Sequence, residues 1–102
     1  MSQAVQGTFS TGSSPAPGNA SDSLVMPTST TTMRLTVTGL DASNTVKTQK
    51  RTTPGAPWAD QTTYNTDQTN AAVTVAAGEE WRVFQLTQQA LRDVRYKLSA
   101  ES

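Results

Sequence analysis

Residues 31–39 read TTMRLTVTG, and this stretch decides the fold class. Its apolar residues Met33, Leu35 and Val37 occupy every second position, with polar residues between them. Successive side chains of a strand point to opposite faces of the sheet. The alternation therefore predicts a half-buried β-strand that ends at Gly39.

The same two-residue period returns near the end of the chain. In residues 93–99, DVRYKLS, the side chains of Val94, Tyr96 and Leu98 share one face, which predicts a final strand. Residues 78–87, GEEWRVFQLT, form the most apolar run and have hydrophobic side chains on both faces. Such a run is typical of a central strand.

Three further runs predict strands with weaker patterns. Residues 44–51, NTVKTQKR, are expected to form an exposed or edge strand, because inward apolar residues are scarce and lysines protect sheet edges. In residues 58–64, WADQTTY, the two-residue period would place Trp58 and Tyr64 on one face. Residues 71–75, AAVTV, predict a short strand.

These runs predict an all-β chain with one domain in residues 29–102, a small antiparallel β-sandwich of the Ig-like or jelly-roll-like kind with about six to eight strands. The Thr-rich composition agrees, because β-branched side chains fit a pleated, half-exposed surface. The expected core residues are Leu35, Val37, Val46, Trp58, Tyr64, Val73, Val75, Trp81, Val83, Val94, Tyr96 and Leu98.

Residues 1–28 are rich in Ser, Ala, Gly, Thr and Pro and predict an extended N-terminal arm. We expect this arm to become ordered only on a partner, since polar termini are usually disordered unless something holds them. Its expected contact residues are its apolar side chains, Val5, Phe9, Leu24 and Val25.

Charge and cysteine content exclude several partners. Eight basic and eight acidic residues give a net charge of zero, so we expect neither nucleic-acid nor membrane binding. No cysteine is present to form disulfides. The first residues lack the basic start and apolar run of a signal peptide, which predicts synthesis in the cytoplasm without export.

Catalytic chemistry has few candidate residues. The chain contains no histidine and no cysteine, which removes the commonest general base, nucleophile and zinc ligands. We therefore predict a protein that is not an enzyme and has no cofactor or metal. A paired-carboxylate enzyme remains a minor alternative, with Asp60, Asp67, Glu79 and Glu80 as candidates. Residues 60–70, DQTTYNTDQTN, are rich in oxygen ligands but favour a solvated hairpin loop over a calcium site.

Two sets of side chains have both a structural and a binding interpretation. The first set is aromatic and consists of Trp58, Tyr64 and Trp81. Aromatic side chains can stack on sugars, but in so small a domain we favour a place in the core for these three. Basic side chains of the 44–51 run can contact an acidic partner or protect a strand edge; these are Lys47, Lys50 and Arg51. Protecting a strand edge and contacting a partner are compatible roles, so all three basic residues are predicted partner contacts.

From about residue 33 onward, the order of features resembles small β-sandwich proteins among bacteriophage virion structural proteins. The corresponding segments are residues 46–51, Trp58, Tyr64, residues 73–75, residues 78–82 and residues 96–99. The turn before Trp58 departs from that pattern, since residues 54–57 read PGAP where Asp-Gly-Gly is more usual.

This resemblance implies a head decoration or cement protein that binds and stabilises the lattice of the major capsid protein. The alternative partner is another virion protein. The resemblance also implies a homo-oligomer, expected as a trimer, located on the capsid surface of the virion and made in the host cytoplasm. It carries over no active site. The alternative is a carbohydrate-binding or receptor-binding module of a phage tail or fibre, suggested by the aromatic residues and the Thr- and Gln-rich surface.

Overall fold

A computed structural model of the chain describes residues 4–9, 20, 22–42, 44–87 and 93–101. Eight strands form two antiparallel sheets of four strands each, and the described residues include no helix. They accordingly contain no helical segment with the length and hydrophobicity that a membrane crossing requires. The two-sheet architecture confirms the predicted all-β sandwich.

The strands are β1 (Ala4–Phe9), β2 (Leu24–Val25), β3 (Thr32–Thr38), β4 (Thr45–Arg51), β5 (Ala59–Tyr64), β6 (Gln68–Thr74), β7 (Glu80–Thr87) and β8 (Val94–Glu101). Sheet A has the order β1-β8-β3-β6, and sheet B has the order β2-β7-β4-β5. Each sheet therefore has two interior strands, β8 and β3 in sheet A and β7 and β4 in sheet B.

The core lies between the sheets and is built mainly by these interior strands. Leu35 of β3 is paired with Leu98 of β8, and both side chains are fully buried. Val46 and Val83 close the core from sheet B and are equally buried. Burial of each such side chain contributes about 1.5–3 kcal/mol, so the alternating pattern of the sequence supplies the main stabilisation.

Most of the predicted core is confirmed. Tyr64, Val73 and Tyr96 are half-buried and pack against the core, and Trp58 is the exception because it lies on the outer face of sheet B. The prediction missed several buried hydrophobic residues, namely Leu24, Met26, Met33, Leu40 and Ala100.

The prediction that residues 44–51 form an edge strand is wrong. Strand β4 pairs with β5 on one side and with β7 on the other, so it is interior. Its cationic side chains do not protect a free edge. Lys47, for example, pairs with Asp60 of the neighbouring strand.

A β-bulge explains why Trp58 and Tyr64 do not share a face. Lys47 is paired with Thr63 and Gln49 with Asp60, so β5 has one residue more than β4 between these pairs. An extra residue reverses the direction of every side chain beyond it. Tyr64 consequently packs on the core while Trp58 lies on the outside.

Described parts of the predicted arm belong to the sheets, which corrects the expectation that they order only on a partner. Strand β1 pairs along β8, and β2 pairs with β7. Gly7 faces Tyr96, whose ring occupies the space that a Cβ at position 7 would need. Residues before position 29 therefore supply one edge strand of each sheet, β1 in sheet A and β2 in sheet B.

We expect Gly39→Ala to destabilise the fold by about 3 kcal/mol, and Gly78→Ala by about 1 kcal/mol. Both glycines have positive φ, 93° and 82°, which an alanine adopts only with strain. At Gly39 a Cβ would also collide with the main-chain oxygen of Asp93, whereas nothing lies within 4 Å of a Cβ at Gly78. Urea unfolding of both variants measures the difference, and equal losses would show that the collision with Asp93 is relieved without cost.

Candidate functional site

The outer face of sheet B carries a continuous set of charged and aromatic side chains, called here the Trp58 face. Outward positions of β4 lie opposite outward positions of β7, in the pairs Lys47 with Phe84, Gln49 with Arg82 and Arg51 with Glu80. Cross-strand neighbours of this kind lie close enough to interact directly. The face consists of Val25, Lys47, Gln49, Arg51, Trp58, Asp60, Glu80, Arg82 and Phe84.

Two guanidinium groups contact the ring of Trp58. The guanidinium carbon of Arg51 lies 4.4 Å from the ring centroid, and that of Arg82 lies 4.2 Å from it. Both distances are within the 6 Å range of cation–π attraction, which contributes about 0.5–1 kcal/mol per pair at exposed sites. The indole of Trp58 therefore holds two like charges side by side on the surface.

Besides burial, the neighbouring positive charge of Arg51 contributes to a lowered pKa of Arg82. Burial and then the neighbouring charge of Arg51 lower the pKa of Arg82, and Glu80 partly offsets this effect. Because the ordinary pKa of arginine lies far above neutrality, the group stays cationic at physiological pH. The Trp58 face thus carries three cations and two carboxylates, and Arg82 is its one cation without an ion pair among the described residues.

One side of the Trp58 face is fixed by the carboxylate of Glu80. Arg51 Nε donates to Glu80 Oε1 at 2.6 Å, and the hydroxyl of Ser23 donates to Glu80 Oε2. Hydrogen bonds from Arg51 and then from Ser23 hold the pKa of Glu80 below its ordinary value. This contact connects the segment before β2 to the centre of sheet B.

The other side of the face is fixed through Gln49. Arg82 Nε donates to Gln49 Oε1 at 2.8 Å, and Gln49 Nε2 donates to Asp60 Oδ1 at 2.9 Å. Lys47 Nζ reaches Asp60 Oδ2 at 2.9 Å and lies 5.2 Å from the ring centroid of Phe84. Hydrogen bonds from Gln49 and then from Lys47 lower the pKa of Asp60. The outward side chains of β4, β5 and β7 therefore form one connected network.

Val25 adds an apolar element to this network. It is paired with Glu80 across β2 and β7, and its side chain is 52% exposed. Among the described residues it is the only large hydrophobic side chain that is exposed. The Trp58 face thus combines cationic, aromatic and aliphatic groups.

A second charged cluster lies at the end of the sandwich, around the carboxylate of Glu79. This residue is only 7% exposed, and its Oε2 lies 2.8 Å from Lys50 Nζ. Its Oε1 accepts hydrogen bonds from the main chain of Ala76 at 2.7 Å and from Trp81 Nε1 at 3.3 Å. Burial alone would raise the pKa of Glu79, but these three donors together hold it below its ordinary value. The cluster orients the turn before β7 and the buried Trp81.

The predicted contact residues fall into different surroundings. Lys47 and Arg51 belong to the Trp58 face with Val25, whereas Lys50 belongs to the Glu79 cluster. Leu24 is buried at 5% exposure and is therefore not accessible to a partner of the folded chain. Val5 is half-buried and packs against the core, and the side chain of Phe9 lies outside the described part of the structure.

The three aromatic side chains do not form the sugar-stacking platform that was the alternative to a core role. Trp81 is buried at 3% exposure and Tyr64 packs on the core, on the opposite side of sheet B from Trp58. The ring of Trp58 is itself in contact with two guanidinium groups. Stacking of a sugar on Trp58 would require these contacts to be replaced.

The four candidate carboxylates lie at three places, and each accepts a hydrogen bond. Asp60 and Glu80 belong to the Trp58 face, Glu79 lies at the end of the sandwich, and Asp67 accepts from the main chain of Leu40 at 2.9 Å. The last contact ties the loop between β5 and β6 to the loop after β3. Among the described residues no three potential metal ligands come together.

Sequence reasoning missed Arg82, Gln49 and Phe84 as surface residues of one site and assigned Trp58 to the core. The outward alternation of Arg82 and Phe84 in residues 78–87 was visible in the sequence. What places them beside Gln49 is the pairing of β4 with β7, which no local pattern specifies.

Stability should fall as the pH drops below about 4, and Glu79→Gln should weaken this dependence. The folded pKa of Glu79 lies below the unfolded value of about 4.3, so its contribution is complete above that value and is lost as the pH falls through the folded pKa. At neutral pH we expect the variant to lose about 1–3 kcal/mol.

Urea unfolding between about pH 7 and pH 3 measures both effects, with Asp67→Asn as a control that removes one carboxylate from a loop and leaves Glu79 intact. The control should retain most of the dependence of the unmodified chain. A Glu79→Gln variant with unchanged stability at neutral pH and an unchanged pH profile would show that the Glu79 contacts add no net stability.

The chain was compared with protein-family models, curated proteins and solved structures, and it matches none of them. Its resemblance to phage virion proteins therefore stays a prediction from the sequence, and its function has to be inferred from its own residues and geometry.

Proposed function

We propose that this chain is a non-enzymatic capsid decoration or cement protein that binds the lattice of the major capsid protein through the Trp58 face. The observation that carries the proposal is the stacking of Arg51 and Arg82 on Trp58 at an outer sheet face. Trp and Arg are among the residue types most enriched at the energetic centres of protein interfaces.

The network around Trp58 also lowers the entropic cost of association. Ordering a long side chain on binding costs about 0.5–1.5 kcal/mol. Here the Nε groups of Arg51 and Arg82 are already bonded to Glu80 and Gln49. A partner therefore meets side chains whose positions are largely determined before contact.

The chemistry of the face indicates what the partner must offer. The terminal guanidinium nitrogens of Arg51 and Arg82 have no hydrogen-bond acceptor among the described residues, so they are available to carboxylates or carbonyls of a partner. Val25 provides an apolar contact beside them. We propose an acidic patch with an apolar rim on the capsid protein as the complement.

Oligomer formation and location follow the sequence resemblance. A homotrimer on the outer capsid surface would present three Trp58 faces at a symmetry axis, and linked contacts raise avidity well above that of one small face. The alternative of a sugar-binding tail or fibre module loses support at the aromatic residues, because Trp81 is buried and the ring of Trp58 is covered.

We expect Arg82→Gln to reduce binding to capsid particles at least about tenfold, because a charged hydrogen bond and the stack on Trp58 are lost together. Arg34→Gln is the matched control, since it removes one arginine from β3 on the opposite sheet. Both variants are mixed with particles that lack the protein, and bound copies per particle are measured after sedimentation.

Thermal unfolding of both variants checks that the sandwich is retained. Trp58→Ala should lose binding as Arg82→Gln does. Equal occupancy by the Arg82→Gln and Arg34→Gln variants would contradict the Trp58 face as the binding surface. Failure of the unmodified protein to bind such particles would contradict the decoration function itself.

A further inference from the structure

The outer face of sheet A, on the opposite side of the sandwich from the Trp58 face, has a shallow open depression of about 330 Å³. It lies over β1, β8 and β3, the three strands that supply its lining. Its polar lining side chains are those of Gln6, Thr8, Thr36, Thr38, Arg95 and Lys97. We call it the sheet A depression.

The strand register arranges these side chains in two rows. Each row crosses β1, β8 and β3 and has a cation in the middle, contributed by β8. The rows are Gln6–Lys97–Thr36 and Thr8–Arg95–Thr38. Since neighbouring residues on one face of a strand lie about 7 Å apart, the two cations are close together on a rigid surface.

The charge of the sheet A depression is unbalanced, in contrast to the Trp58 face. On sheet B the carboxylates of Asp60 and Glu80 are paired with Lys47 and Arg51. Arg95 and Lys97 form no ion pair with any residue that the structure describes, and no carboxylate is among the lining residues. The lining of the depression therefore contributes two positive charges and no negative charge.

The rest of the lining consists of hydroxyl and amide groups. The side chains of Gln6, Thr8 and Thr38 have no hydrogen-bond partner within the described part of the chain, while Thr36 is bonded to Asn70. These groups are available donors and acceptors, and they surround both cations. Such a lining fits a ligand that has hydroxyl groups as well as negative charge.

The size and composition of the depression restrict the ligand further. Its volume lies at the lower end of the range for small-molecule sites, about 300–1,000 Å³, and exceeds what one small oxyanion fills. Tyr96 is the only aromatic residue among the described residues that line it, and its ring packs toward the core and over Gly7. A neutral sugar held by stacking is therefore disfavoured, and a charged sugar is favoured.

We propose that the sheet A depression binds an acidic saccharide, a sugar ring that carries a carboxylate. The carboxylate accepts hydrogen bonds from Arg95, whose planar guanidinium matches its geometry, and Lys97 adds a second positive charge. The ring hydroxyls exchange hydrogen bonds with Thr8, Thr38 and Gln6. This site is separate from the Trp58 face and does not depend on it.

The test is a titration of the full-length, ¹⁵N-labelled chain with D-glucuronate, followed by NMR. We expect saturable shifts of amide signals in β1, β3 and β8, and weaker binding as the salt concentration rises. D-glucose supplies the ring without the charge, and sodium sulfate supplies charge without the ring. Both should shift these amides at least about tenfold less effectively, because each lacks one half of the proposed contacts.

Two variants and a matched control assign the binding to the lining residues. Arg95→Gln and Lys97→Gln should each weaken glucuronate binding about tenfold or more, since each removes a charged hydrogen-bond donor. Lys50→Gln removes the same charge at the end of the sandwich, next to Glu79, and should leave glucuronate binding unchanged. The NMR spectra of the variants also show whether each remains folded.

Three outcomes would overturn the proposal. The first is equal binding of sulfate and glucuronate, which would indicate a simple oxyanion site. The second is binding of a tetraglutamate peptide without a response to glucuronate, which would indicate an acidic protein partner. The third is unchanged glucuronate binding by folded Arg95→Gln and Lys97→Gln variants. None of these results bears on capsid binding by the Trp58 face, so the two proposals fail separately.

Discussion

The pairing of β4 with β7 is the constraint on which both the core and the surface of sheet B depend. On the inner side this register sets Thr48 opposite Val83, and both are buried. On the outer side the same register sets Gln49 opposite Arg82 and thereby anchors the stack on Trp58. A slip by one residue would exchange these two faces, exposing apolar groups and burying charges. The surface network is therefore specified by the same pairing that buries the core.

Neutral overall charge conceals an asymmetry between the two outer faces. On sheet B, lysine and arginine side chains meet carboxylates across neighbouring strands, as in the pairs of Lys47 with Asp60 and Arg51 with Glu80. On sheet A, Arg95 and Lys97 have hydroxyl and amide neighbours instead. The first arrangement orders the side chains of the proposed interface, whereas the second leaves two cations for the proposed anionic ligand. Composition alone could not separate these cases, because it counts charges and does not place them.

The alternation of apolar and polar residues correctly predicted those features of the fold that depend on a single strand. The alternation of Met33, Leu35 and Val37 is read from one segment, and all three side chains are buried on one face of β3, although the predicted core included only the last two. Strand order and bulges are not local properties. The edge assignment of residues 44–51 failed because the partners of β4 lie elsewhere in the chain, and the placement of Trp58 failed because a single extra residue in β5 reverses the faces. The same non-local pairing explains why the components of the Trp58 face were not recognised as one site.

The failure at Trp58 also explains why sheet B has a candidate binding face at all. Without the bulge in β5, Trp58 and Tyr64 would point to the same side, and both could join the core. With it, Tyr64 fills the core while Trp58 is left outside, where Arg51 and Arg82 cover its ring. An aromatic side chain on a polar sheet face needs such partners to limit its contact with water. The bulge thus converts a residue that could have served the core into the centre of the surface through which we propose that the chain binds its partner.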